Sequence, residues 1–104
     1  MQFWELINKS NFLKEKFKNI EDHFKEIEID GISNNSKNIK KNFIFFAFTG
    51  NKTNGNLYIN EARRNGASIV ISQEEKGKDV IELTNKGYFK IYSHLCSSFY
   101  NQKP

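Results

Sequence analysis

The residues best suited to recognition chemistry sit in two polar stretches, Asn34-Asn35-Ser36-Lys37 and Asn51-Lys52-Thr53. Ser36 brings a hydroxyl that both donates and accepts, and Asn34, Asn35 and Asn51 bring amides that can read the edge of a base or a sugar. Lys37 and Lys52 add ammonium groups suited to a phosphate. Asn and Ser are also common loop residues for purely structural reasons, so composition alone leaves both readings open.

Groups for covalent or acid–base chemistry are not assembled in the same way. His23 and His94 fall in separate helical patterns, with no cysteine or paired carboxylate at ligand spacing. Ser97 and Ser98, beside Cys96, are not expected to act as a nucleophile. Glu26, Glu28 and Asp30 alternate as residues of a strand edge facing water do. No phosphate loop of the GxxxxGK(S/T) kind occurs. The chain is expected to bind and not to catalyse, with no catalytic residue, metal or cofactor of its own.

The two polar stretches flank one apolar run, Phe43-Ile44-Phe45-Phe46-Ala47-Phe48, and are expected at its opposite ends. A run without alternation reads as a strand covered on both faces, which favours α/β layering. Asn42 before it suits a left-handed turn, and Gly50 closes it. With Asn54 or Asn56 as N-cap, the next helix carries Tyr58, Ile59 and Ala62 on one face. Arg63 and Arg64 suit the negative end of its dipole, and Gly66 suits the C′ position. Ala67 to Ile71 then reads as a second buried strand, completing a unit that prefers a right-handed parallel crossover.

The outer segments read as support. Gln2 to Asn8 predicts a short helix that buries Phe3, Leu6 and Ile7. Ser10 or Asn11 caps a second helical segment, in which Phe17, Ile20, Phe24 and Ile27 recur at 3-4-3 spacing. From Glu26 the alternation predicts a strand ending near Gly31, followed by a loop over 33–42. A charged turn pivots on Gly77 and leads to a short strand, Val80 to Leu83. Thr84 or Asn85 caps a last helix with Gly87 in its first turn, and Tyr88, Tyr92, Leu95 and Phe99 share a face of it.

Composition sets the remaining bounds. A chain of 104 residues with 38% apolar and 14% aromatic content makes one domain with its own core. No run approaches the ~18 apolar residues of a membrane span. Charged and polar residues interrupt the first ten positions, unlike a signal peptide. Cys96 stands alone, so a reducing, cytoplasmic setting and no membrane association are expected. The net charge of +4 permits an anionic partner. No basic helix or aromatic-glycine single-strand motif accompanies it, so nucleic acid is not the expected partner.

The segment from Gly31 to Ser72 resembles the N-terminal domain shared by two Mur ligases of bacterial cell-wall synthesis. These are the type adding the third residue to UDP-N-acetylmuramoyl peptides (MurE) and the type adding the terminal dipeptide (MurF). The resemblance rests on Asn35-Ser36-Lys37, Lys41-Asn42-Phe43, Ile44-Phe45-Phe46-Ala47, Gly50, Asn54-Gly55-Asn56, Tyr58-Ile59 and Gly66-Ala67, in register without a gap. Ser98-Phe99-Tyr100 and Pro104 resemble the helix end before the family's ATP-binding domain, and Phe-Tyr there favours the MurE type.

The resemblance implies a mixed, mostly parallel sheet flanked by helices, in a single domain spanning 1–104. It implies that the domain holds the UDP-N-acetylmuramoyl end of a UDP-N-acetylmuramoyl-dipeptide, through Asn34, Ser36, Asn51, Lys52 and Thr53. The family's Asp and Arg around the serine are Asn35 and Lys37 here, which loses a possible ion pair and a bidentate fork. ATP and Mg²⁺ belong to central and C-terminal ligase domains, expected in cis in a longer, monomeric enzyme. Two rival readings remain: an interaction module of the same fold, like the head of HPr kinase, and a basic nucleic-acid-binding module motivated by charge alone.

Overall fold

The run Phe43–Phe46 is apolar on both faces because it lies inside the sheet and between two layers of helix. The computed structural model describes residues 1–48, 55–73, 77–83 and 87–101, without the side chains of 55–57. Four parallel strands form one sheet in sequence order: β1 (Gly31–Ser33), β2 (Phe43–Phe46), β3 (Ile69–Ser72) and β4 (Val80–Glu82). Ile32 pairs with Ile44, Ile44 with Ile69, and Val70 with Val80. Among the described residues, antiparallel pairing occurs only as an isolated bridge between Gln2 and Glu28, beside the parallel sheet.

The helices divide between the two faces. Helices α1 (Phe3–Ile7), α2 (Asn11–Lys16) and α4 (Tyr88–Tyr100) cover one face, where Phe3, Leu6, Leu13, Ile91 and Leu95 pack on Ile44, Phe46, Ile69 and Ile71. On the other face α3 (Gly55–Asn65) places Ile59 and Ala62 against Phe45, Ala47 and Val70. Period-two alternation along β2 therefore serves two cores at once, Ile44 and Phe46 for one and Phe45 for the other. Full burial of each such side chain contributes roughly 1.5–3 kcal/mol.

Local chemistry sets several boundaries as expected. Ser10 caps α2, its hydroxyl accepting the Leu13 N–H at 3.0 Å. Asn42 takes φ 65° and Gly66 φ 118°, the two left-handed positions that bracket the β2–α3 unit. The Asn42 N–H donates to the Gly66 carbonyl at 3.0 Å, so the two turns brace each other.

Other boundaries differ. The apolar series from Phe17 to Ile27 packs on the core as its spacing predicts, but not as one helix. α2 ends at Lys16, and a 3₁₀ turn at Asp22–Phe24 carries the chain onward. The intervening Asn19 and Asp22 are weak helix formers, and tertiary packing holds the aromatics without helical continuity. The strand expected to end near Gly31 instead begins there, while 27–29 runs extended beside the N-terminus. Glu26, Glu28 and Asp30 do face solvent. The 33–42 segment is not wholly loop, since Ser33 closes β1 and Ser36–Asn38 forms a 3₁₀ turn.

Tyr58 is 44% exposed and not part of the buried α3 face. Gly87, at φ 87°, is the N-cap of α4 and not a residue of its first turn. Ile91, unnoticed in the sequence pattern, is fully buried beside Tyr88 and Leu95. Asn56 lies inside α3, which begins at Gly55, so it is not the N-cap. With Gly87 as the N-cap of α4, neither Thr84 nor Asn85 takes that place. Gly50, Asn54, Thr84 and Asn85 themselves lie outside the described residues.

Candidate functional site

Because β1 and β2 run parallel, their C-terminal ends point the same way. The stretch Asn34–Lys37 leaves β1 at that edge, beside Ala47 and Phe48, which continue from β2. The first polar stretch is therefore not at the far end of the buried strand. It shares the carboxyl edge of the sheet, where open α/β sheets bind ligands. A cleft of about 330 Å³ opens there, lined by Asn34–Lys37 together with Phe45, Ala47, Phe48 and Tyr58.

A chain of local hydrogen bonds shapes the polar wall. Ser33 Oγ accepts the Asn35 N–H at 3.0 Å, and Asn35 Oδ1 accepts the Lys37 N–H at 3.0 Å, capping the 3₁₀ turn. Asn35 is thus partly committed to its own backbone. Asn34 is exposed at the mouth, and its side chain makes no hydrogen bond among the described residues. Lys37 is exposed too, with no ion pair among the described residues. The wall so offers an amide and an ammonium group to a ligand.

Ser36 is the buried member, 3% exposed. Helix α3 grips it twice: its hydroxyl donates to Glu61 Oε1, and its carbonyl accepts from Asn65 Nδ2 at 2.9 Å. Glu61 and Asn65 are four residues apart and so lie on one side of the helix.

The apolar wall is aromatic. Phe48 packs against Phe46, Tyr88, Phe89 and Tyr92 with ring centroids between 5.3 and 5.4 Å apart. The Tyr88 hydroxyl, 2.6 Å from the Ala47 carbonyl oxygen and 2.8 Å from that of Ile71, ties the ends of β2 and β3 beneath it. Burial, followed by contact with Cys96, pushes the Tyr92 hydroxyl up to about 12, against a smaller opposing hydrogen bond to the Asn34 backbone. Burial also pushes the Cys96 thiol up, which keeps it from acting as a thiolate.

The other expected groups are scattered. His23 Nε2 lies 2.9 Å from the Lys78 carbonyl oxygen, while His94 stacks on Phe12 at 4.2 Å. No group of three His, Cys, Asp or Glu residues that could hold a metal occurs among the described residues. A second cleft, of about 380 Å³, is lined by Trp4, Lys14, Lys18 and Lys25 among others, but Lys18 and Lys25 are paired with Glu15 and Asp22. Asn51, Lys52 and Thr53 lie outside the described residues. Phe48, Tyr58, Glu61 and Asn65 were not singled out as site residues from the sequence. The one signal for the last two was a polar pair at helical spacing beside the buried Ile59–Ala62 stripe.

The profile described as "Mur ligase family, catalytic domain" matches residues 28–101. A UDP-N-acetylmuramoyl-L-alanyl-D-glutamate--2,6-diaminopimelate ligase of Rickettsia typhi is 36% identical over 88 residues, 83% of this chain and 18% of that protein. A second such ligase from Clostridium acetobutylicum is 39% identical over 80 residues, 73% of this chain and 16% of that protein. Among solved structures, the MurF ligase of Thermotoga maritima in complex with ADP overlays with a TM-score of 0.48 at 24% identity, over 64% of this chain and 15% of that one. The chain spans less than a fifth of the length of these relatives. With the profile covering most of its residues, and its relatives of the MurE type, the chain belongs to the Mur ligase family.

Proposed function

We propose that this chain is the substrate-holding N-terminal domain of a MurE-type ligase. In this reading it binds the uridine-diphosphate end of a UDP-N-acetylmuramoyl-dipeptide and is not catalytic by itself. The observation that carries the reading is the convergence of Asn34, Ser36 and Lys37 with Phe48 and Tyr58 at the carboxyl edge of a parallel sheet. Aromatic rings suit the face of a base, amide and hydroxyl groups suit its edge, and an ammonium suits a phosphate. Asn51, Lys52 and Thr53 complete the proposed contacts from the neighbouring stretch.

ATP and Mg²⁺ chemistry would belong to other domains of a longer ligase, in cis with this one. That assignment fits the lack of a GxxxxGK(S/T) loop in this sequence. Among the described residues no helix is long and apolar enough to cross a membrane, and the reading places the protein in the cytoplasm as a monomer.

The test is a titration of UDP-N-acetylmuramoyl-L-alanyl-D-glutamate into the ¹⁵N-labelled chain. Amide shifts confined to 34–37 and 51–54 are expected. Shifts absent at millimolar ligand would count against the site.

A further inference from the structure

We infer that Glu61 is a positioning residue that sets the hydrogen-bond polarity of Ser36, making the Ser36 hydroxyl an acceptor towards the ligand. A serine hydroxyl has one proton and two lone pairs, whereas a carboxylate only accepts. The Ser36 proton is spent on Glu61 Oε1. What remains for a ligand in the cleft is a lone pair, so the group that meets Ser36 must donate. Asn65 holds the Ser36 carbonyl from the next turn of α3, which stops the residue from rotating as a whole. Ser36 is nearly buried, so a ligand acceptor facing it would oppose an oxygen with no proton to offer, away from water that could relieve the mismatch.

The inference rests on the uridine reading and adds a selection rule to it. A donor in that position is either the imide N–H of a uracil-type base or a ribose hydroxyl. Cytosine presents a ring acceptor where uracil presents the imide N–H. Where the donor is the imide, Glu61, which lies behind Ser36 on α3 and is not among the residues lining the cleft, decides which base is accepted.

The experiment measures binding of UDP, CDP, N3-methyl-UDP and 2′-deoxy-UDP by NMR titration of the full chain and of three variants. The unmodified chain is expected to prefer UDP over CDP by about tenfold, the scale of one hydrogen bond gained against one mismatched. Weakening by N3-methylation assigns the donor to the imide, and weakening by 2′-deoxygenation assigns it to the ribose, where the preference is read as UDP over 2′-deoxy-UDP.

Glu61→Leu frees the Ser36 proton and is expected to bring the preference to within about twofold. Glu61→Gln, whose amide oxygen still accepts, is expected to restore it. Asn65→Ala loosens the backbone of the same turn without touching the hydroxyl, and is expected to weaken all four ligands alike. A preference unchanged in Glu61→Leu, or lost equally in Asn65→Ala, overturns the inference. Should Glu61→Leu not fold, Glu61→Ala in the same titration carries the same expectation, and Asn65→Ala decides independently. Failure of the unmodified chain to bind any of the four ligands would instead overturn the uridine reading itself.

Discussion

The hydroxyl of Tyr100 closes the outer edge of β1 at Ile32. It accepts the Ile32 N–H at 2.8 Å and donates to the Ile32 carbonyl at 2.9 Å. β1 ends the sheet on that side, so these two backbone groups have no neighbouring strand to pair with. The last turn of α4 takes the place of that strand.

Tyr100→Phe keeps the ring and removes both bonds. A loss of about 1 kcal/mol in urea denaturation is expected, because water can reach part of the exposed edge. The sharper readout is hydrogen exchange, where the Ile32 amide should lose protection while the Ile44 amide, inside the sheet, does not.

Gly66 and Asn42 both sit at positive φ, yet they should answer substitution differently. At Gly66 an added Cβ would come within 2.7 Å of the Lys41 Cα and 2.8 Å of its nitrogen, at φ 118°. Those are backbone atoms that cannot step aside, so Gly66→Ala should cost roughly 2 kcal/mol or more. Asn42→Gly keeps the φ of 65° available and loses only an exposed 3.2 Å bond to Asp30. Its midpoint in thermal melts should correspond to a change within about 1 kcal/mol.

Arg63 forks onto Asp79 with Nε at 2.8 Å and Nη2 at 2.9 Å, pinning α3 to the entrance of β4. Both side chains are about one-third exposed, which limits what the pair contributes. Arg63→Lys breaks the fork and should cost less than about 1 kcal/mol at low salt. In 1 M salt the difference between variant and parent should shrink further.

Alkaline pH should unfold the chain through the buried Tyr88 and the half-buried Tyr92. Burial raises the folded-state values of Tyr88 and, to about 12, Tyr92. Each therefore contributes stability that is complete below the ordinary tyrosine value of about 10 and is lost as pH rises through the raised one. Urea midpoints should fall on going from pH 9.5 to 12. Tyr92→Phe, which has no proton to lose, should fall by less over the same interval.

Local features were legible in the residues themselves. The Ser10 cap, the left-handed Asn42 and Gly66, and the doubly covered Phe43–Phe46 strand each depend on a few adjacent residues, and each appears where its chemistry placed it. The apolar spacing of Phe17, Ile20, Phe24 and Ile27 identified core positions correctly but misjudged the backbone between them. Burial is a demand on side chains, and both a helix and a chain of turns can meet it. Tyr58 failed for the converse reason, since helical periodicity marks a face without saying how far the core extends around it.

The sequence by itself determined the α/β layering and the two polar stretches, because hydrophobic pattern and turn chemistry are written in neighbouring residues; the family followed from the likeness of its motifs. Only the tertiary structure decided that Ser36 meets Glu61 across 25 residues and Tyr100 meets Ile32 across 68. It also decided that the first polar stretch turns back beside Phe48 at the carboxyl edge of the sheet. Those pairings follow from strand direction and order, which fix where distant residues meet and which no local pattern encodes.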